Sequence, residues 1–143
     1  MKYGLSLLLI VSQLGFVNPP EVAPEAITKI HYHYAGPTIR YQKFGERIWT
    51  KTKIAIKDNE GEKVLAEKEI PSTPAKWKEA TTSVSNLIKN SGSMKKPDPD
   101  CMGCSISELI IYTAKDTVYL TDKGDAAYEK SFQAITTLMM TDK

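Results

Sequence analysis

The stretch Asp100–Leu120, DCMGCSISELIIYTAKDTVYL, constrains this chain more than any other. Leu109, Ile110 and Ile111, then Val118, Tyr119 and Leu120, form the densest apolar cluster outside the N-terminal segment, and Ala114-Lys115-Asp116 separates the two runs. β-Branched and aromatic side chains fit a pleated surface and lose rotamer freedom in a helix, so both runs read as strands. The spacing predicts a β-hairpin, central in a small sheet, with the Cys101-Met102-Gly103-Cys104 clip at its entrance.

Two further segments carry the period of two that marks half-buried strands. Ile30, Tyr32 and Tyr34 alternate with Lys29, His31 and His33, and the lysine beside the histidines reads as the wet face of an edge strand. From Ile48, one face takes Ile48, Thr50, Thr52, Ile54 and Ile56, and the other takes Trp49, Lys51, Lys53, Ala55 and Lys57. Between these segments, Ile39–Phe44 is less regular and reads as loop. Asp58-Asn59-Glu60-Gly61 is a turn in which Gly61 takes the left-handed conformation. The return strand Lys63–Ile70 places Leu65, Glu67 and Glu69 on one face, where the glutamates meet the lysines of the outgoing strand.

Pro71-Ser72-Thr73-Pro74 stops that strand and starts a helix, with Thr73 as N-cap and Pro74 at the first helical position. Trp77, Ala80, Val84, Leu87 and Ile88 follow at helical spacing until Asn90-Ser91-Gly92. A last helix, capped by Asp122 or Asp125, carries Tyr128, Phe132, Ile135, Leu138 and Met139. The order β-β-β-α-β-β-α predicts an α+β fold: an antiparallel sheet of about five strands with two helices packed on one face. Ile54, Ile56, Leu109 or Ile110, and Val118 or Tyr119 would form the core. The opposite face would carry Lys51, Lys53, Lys57, Glu67 and Glu69, with Trp49 as its one large aromatic.

At the N-terminus, Met1-Lys2 precedes the apolar run Gly4–Val17, which ends at Asn18-Pro19-Pro20. That shape reads as a signal peptide over residues 1–17, and the run is shorter than the roughly 20 residues of a membrane span. Export to the periplasm or extracellular space follows, with no membrane span after processing. Residues 18–26, rich in proline, read as a linker, and residues 27–143 as a single domain. Nineteen Lys and Arg against seventeen Asp and Glu, spread along the chain, give no basic field, which argues against nucleic-acid binding.

Cys101 and Cys104 admit three chemistries: a disulfide, a redox dithiol, or half of a metal site. A redox C-x-x-C draws its low thiol pKa from a following helix, whereas Cys104 leads into a strand, so a disulfide is expected in an exported chain. His31 and His33 project from one strand face, and with Cys101 and Cys104 they would make a zinc or copper set, although the pairs lie about seventy residues apart. Otherwise no cofactor is expected. The sequence holds no G-x-S-x-G and no glycine-rich phosphate loop. Trp49, with Tyr41 and Phe44 close in sequence, forms a candidate aromatic patch for a partner; burial under the 35–47 loop is the competing account.

The hairpin–helix pattern of residues 106–140 resembles small exported bacterial domains of unknown function and, more distantly, the emfourin-type inhibitors of metalloproteases. That resemblance implies a non-catalytic, protein-binding role. Because the sequence shows no general acid, base and nucleophile set, the expected function is a non-enzymatic domain that binds another protein or a surface polymer. A zinc or copper protein, a thiol–disulfide oxidoreductase and a protease inhibitor stand as alternatives.

Overall fold

A computed structural model describes residues 21–36, 43–91, 106–121 and 126–140. Six strands form one antiparallel sheet: β1 (Ile27–Ala35), β2 (Lys43–Thr50), β3 (Lys53–Glu60), β4 (Lys63–Pro71), β5 (Ile106–Thr113) and β6 (Thr117–Thr121). Helix α1 (Pro74–Asn90) follows β4, and α2 (Ala126–Met140) follows β6. The lateral order is β4-β3-β2-β1-β5-β6. The fold is α+β with both helices on one face, and the described residues form one more strand than the sequence pattern predicts.

The extra strand arises at Lys51-Thr52, where the run read as one strand turns back on itself. No described residue other than Gly61 has positive φ, so this turn forms without the left-handed residues that hairpins usually recruit. The Thr50 hydroxyl does the stitching: it donates to the Lys53 carbonyl at 3.1 Å and accepts from the Lys53 N–H at 3.3 Å. Two residues in the turn leave Trp49 opposite Ile54 and Ile48 opposite Ala55. The faces are thereby reassigned. Trp49 belongs with Ile54 and Ile56, and Phe44, read as loop, lies within β2.

The helix-covered face is built of rows that cross the sheet. The first, Ile70–Ile54–Trp49–Ile30–Ile111–Val118, is wholly apolar. The second, Lys68–Ile56–Arg47–Tyr32–Leu109–Leu120, keeps apolar residues over its β5–β6 end. The third, Ala66–Asp58–Gly45–Tyr34–Ser107, carries the polar groups of Asp58, Tyr34 and Ser107. Trp77, Ala80, Val84, Leu87 and Ile88 of α1 and Tyr128, Phe132, Ile135 and Met139 of α2 close the core over these rows. Of the predicted core residues, Ile54, Ile56, Leu109 and Val118 are buried.

Three further expectations change. The β5–β6 hairpin is not central, because β6 is an edge strand. Strand β1 is internal, so His31 and His33 do not lie on an edge. Part of the proposed linker is docked: Val22 packs against the core, its carbonyl accepts from the Ser85 hydroxyl at 2.5 Å, and Pro24–Ala26 form a 3-10 turn. At the other edge, β4 carries a bulge. Asp58 faces Ala66 and Asn59 faces Val64, which leaves Leu65 without an opposite number. Residues 1–20 lie outside the described residues.

Candidate functional site

Neither described helix covers the second face of the sheet. Side chains alternate along strands, so burying Ile30, Tyr32, Trp49, Ile54, Ile56, Leu109 and Ile111 turns their neighbours outward. One outward row reads Glu67–Lys57–Glu46–His33–Glu108–Thr121 across β4 to β6. The next reads Glu69–Ala55–Ile48–His31–Ile110–Tyr119. A third contains Thr50–Lys29–Tyr112–Thr117, with the Lys29 ammonium 3.6 Å above the centre of the Tyr112 ring.

The outer face is therefore a charged row beside a largely apolar one. Along the charged row, Glu67, Lys57 and Glu46 alternate in sign, which keeps like charges from sitting directly opposite one another. Lys53 and Glu69 close a further ion pair at 2.5 Å on the exposed surface, as the sequence pattern predicts. Toward β4 the face forms a trough of about 440 Å³ lined by Glu46, Ile48, Ala55, Lys57, Glu67 and Glu69, among others.

The two histidines occupy the middle of this face, their ring centroids 6.5 Å apart. The Nε2 atom of His31 is buried without a hydrogen bond and stands 3.8 Å from Glu46 Oε1. Burial holds the His31 imidazole below the ordinary value of 6.5; Glu46 pulls it back, and His33 and Lys29 add to the lowering. Among the described residues, no group of three or more His, Cys, Asp or Glu side chains is arranged to hold a metal ion. Cys101 and Cys104, named above for a disulfide and for metal ligation, lie outside the described residues, as does Tyr41.

Trp49 corrects the sequence-based expectation of an exposed interface aromatic. It is 1% exposed and lies on the helix side of β2, its ring 6.4 Å from that of Trp77, with its indole N–H donating to the Ser72 hydroxyl at 2.7 Å. Helix α1 lies against it through Trp77; residues 37–42 of the 35–47 loop lie outside the described residues. Phe44 is half-buried.

One polar cluster escapes sequence reasoning altogether. Arg47, buried within the sheet, donates to both Asp58 carboxylate oxygens at 2.6 and 2.9 Å, and the Tyr34 hydroxyl donates to the same carboxylate at 2.9 Å. The Arg47 hydrogen bonds hold the Asp58 carboxyl below its ordinary value against the effect of burial. Burial and the bond to Asp58 push the Tyr34 phenol up. Gly45 makes room for the cluster, since a Cβ there would meet the Tyr34 ring at 2.5 to 2.6 Å. The missed signal is Gly45 between Phe44 and Glu46 in a strand, where glycine often marks a close approach.

Other concavities lie on the helix side: a groove of about 330 Å³ between α1 and α2, and a hollow of about 670 Å³ around Pro24, Ile27, Lys51 and Trp77. Neither is lined by a histidine, and among the described residues no serine or threonine hydroxyl is paired with an imidazole. No described helix is long and apolar enough to cross a membrane. Compared with known proteins, the chain matches no family and no curated sequence.

Proposed function

We propose that this chain is an exported, non-enzymatic protein-binding domain whose recognition surface is the outer face of the sheet. The observation that carries this reading is the pairing, on a face without a described helix, of a charged row with the apolar row Ala55–Ile48–His31–Ile110–Tyr119. An antiparallel sheet can leave one face to water, and polar residues suffice for that. Ile48, Ile110 and Tyr119 exceed that need, and aromatic and aliphatic groups ringed by charge are the makeup of protein interfaces. The signal-like segment 1–17 supports export.

A photo-crosslinking amino acid placed at Tyr119, and in a second variant at Glu79 on the helix side, tests the surface in the native host. A protein adduct from position 119 and none from 79 is the expected result. Adducts from 79 alone would move the surface to the helices. Fractionation of the chain with the cytosol, its Met1 retained, would remove the export half of the reading.

A further inference from the structure

We infer that the outer face takes a second copy of this chain, the two copies being related by a two-fold axis that runs along the strands between β1 and β2. This rests on the outer face being the recognition surface and adds the identity of its occupant.

The argument is charge order. In β4-β3-β2-β1-β5-β6 the midline falls between β2 and β1. A two-fold axis along that midline, in the plane between two stacked sheets, keeps each residue's height and reverses the lateral order. Strand β2 then faces β1 of the other copy, and β3 faces β5. The charged row meets itself reversed, so Glu46 stands over the second copy's His33, and Lys57 stands over its Glu108. In the neighbouring row, Ile48 meets His31 and Ala55 meets Ile110. No like charges coincide.

The other in-plane axis, across the strands, fails. Centred on the charged row, it sets Glu46 on Glu46 and Lys57 on Lys57. Centred on the apolar row, it sets Lys57 against Lys53. Like charges brought face to face at an interface are strongly unfavourable. The strand-parallel axis alone pairs opposites.

Geometry permits this arrangement. Stacked sheets pack face to face about 10 Å apart, with strands turned by about 30°. That turn displaces β3 over the facing β5 by about 4 Å, which long Lys and Glu side chains span. The face measures about 29 by 17 Å from strand spacing and rise. A patch of this size belongs with the smaller, reversible interfaces, so the dimer should exchange with monomer at micromolar concentration.

Sedimentation equilibrium from low-micromolar to near-millimolar protein tests this. The native chain should shift from one-chain to two-chain mass. Lys57→Glu alone and Glu108→Lys alone should each weaken self-association by about tenfold or more, since the two-fold repeats each clash. An equimolar mixture of the two variants should recover association, because both Lys57–Glu108 contacts become complementary again in the mixed pair. Glu79→Lys, on the helix side, should change nothing. Melting temperatures establish that each variant is folded; should Lys57→Glu fail to fold beside Glu46 and Glu67, Glu108→Lys with the native chain as comparison still reads the contact. A monomeric native chain, a dimer indifferent to both substitutions, or a mixture that stays monomeric would overturn the inference. A monomeric native chain that still gives a Tyr119 adduct with a different protein would keep the recognition surface and discard only the second copy.

Discussion

Trp49 sits in the middle of the apolar row that spans the sheet, against Trp77, with its single polar atom bonded to Ser72. Replacing it with alanine removes the largest fully buried side chain among the described residues and leaves a cavity between sheet and α1. The expected loss is about 3–5 kcal/mol, read as a lower midpoint in urea. A variant as stable as the native chain would contradict the burial. The residue was legible as an aromatic on a strand, yet its side was not. Alternation fixes a face only if the strand is continuous, and Lys51-Thr52 carries none of the glycine, proline or asparagine that announces a turn. The hydroxyl of Thr50 supplies locally what those residues supply through backbone freedom.

At the scale of elements, the helices were the most legible parts. Thr73 accepts from the Lys76 N–H at 3.3 Å as the N-cap of α1, with Pro74 behind it. Thr73→Ala should lower stability by about 1 kcal/mol, while Thr73→Asp should hold it, in thermal or urea unfolding. Equal loss in both variants would mean that the hydroxyl is not acting as a cap. Helices declare themselves through caps and a 3.6-residue period, whereas a strand such as β2 depends on partners far along the chain. Lys43–Thr50 holds charges, a glycine and a tryptophan; its strand character comes from lying between β1 and β3. The outer face was legible in its β3–β4 half, where Lys53, Lys57, Glu67 and Glu69 stand as expected. Its other half needed the pairing of β1 with β2 and β5, which brings Glu46 and Glu108 to either side of His33. Edge protection is also an element property. The Leu65 bulge and the charges of Lys63, Glu67, Lys68 and Glu69 discourage further strands from adding to β4, although Val64 and Leu65 are exposed there.

The molecule as a whole should lose stability on acidification in two separate windows. The His31 imidazole titrates below 6.5 in the fold. Between 6.5 and that lower value the unfolded chain binds the proton first, so stability falls as pH drops through the window. The Asp58 carboxyl titrates below 3.8 in the fold. Its contribution is present above 3.8 and is lost as pH falls toward the folded value, when the Arg47 pair gives way. Melting temperature against pH should show both declines. His31→Gln should remove the upper one, and Asp58→Asn the lower one together with part of the stability at neutral pH. A flat profile between pH 4 and 7 would contradict the burial of His31.

The sheet order also carries a consequence for how the chain reaches this state. Every neighbouring pair of strands is adjacent in sequence except β1 and β5, where Ala35 meets Ile106 and Ile27 meets Thr113. The described residues are thus two locally wired pieces, β1 through α1 and β5 through α2, joined along one distant seam and where α2 packs against α1 and β2. Local hairpins close within microseconds, whereas pairing across such a separation waits on a long loop search. The seam should therefore be the late event in folding. Because β1 and β5 meet along eight registered pairs without a covalent neighbour, each piece is a template for the other: synthesis of the first half exposes a strand edge that only the second half completes.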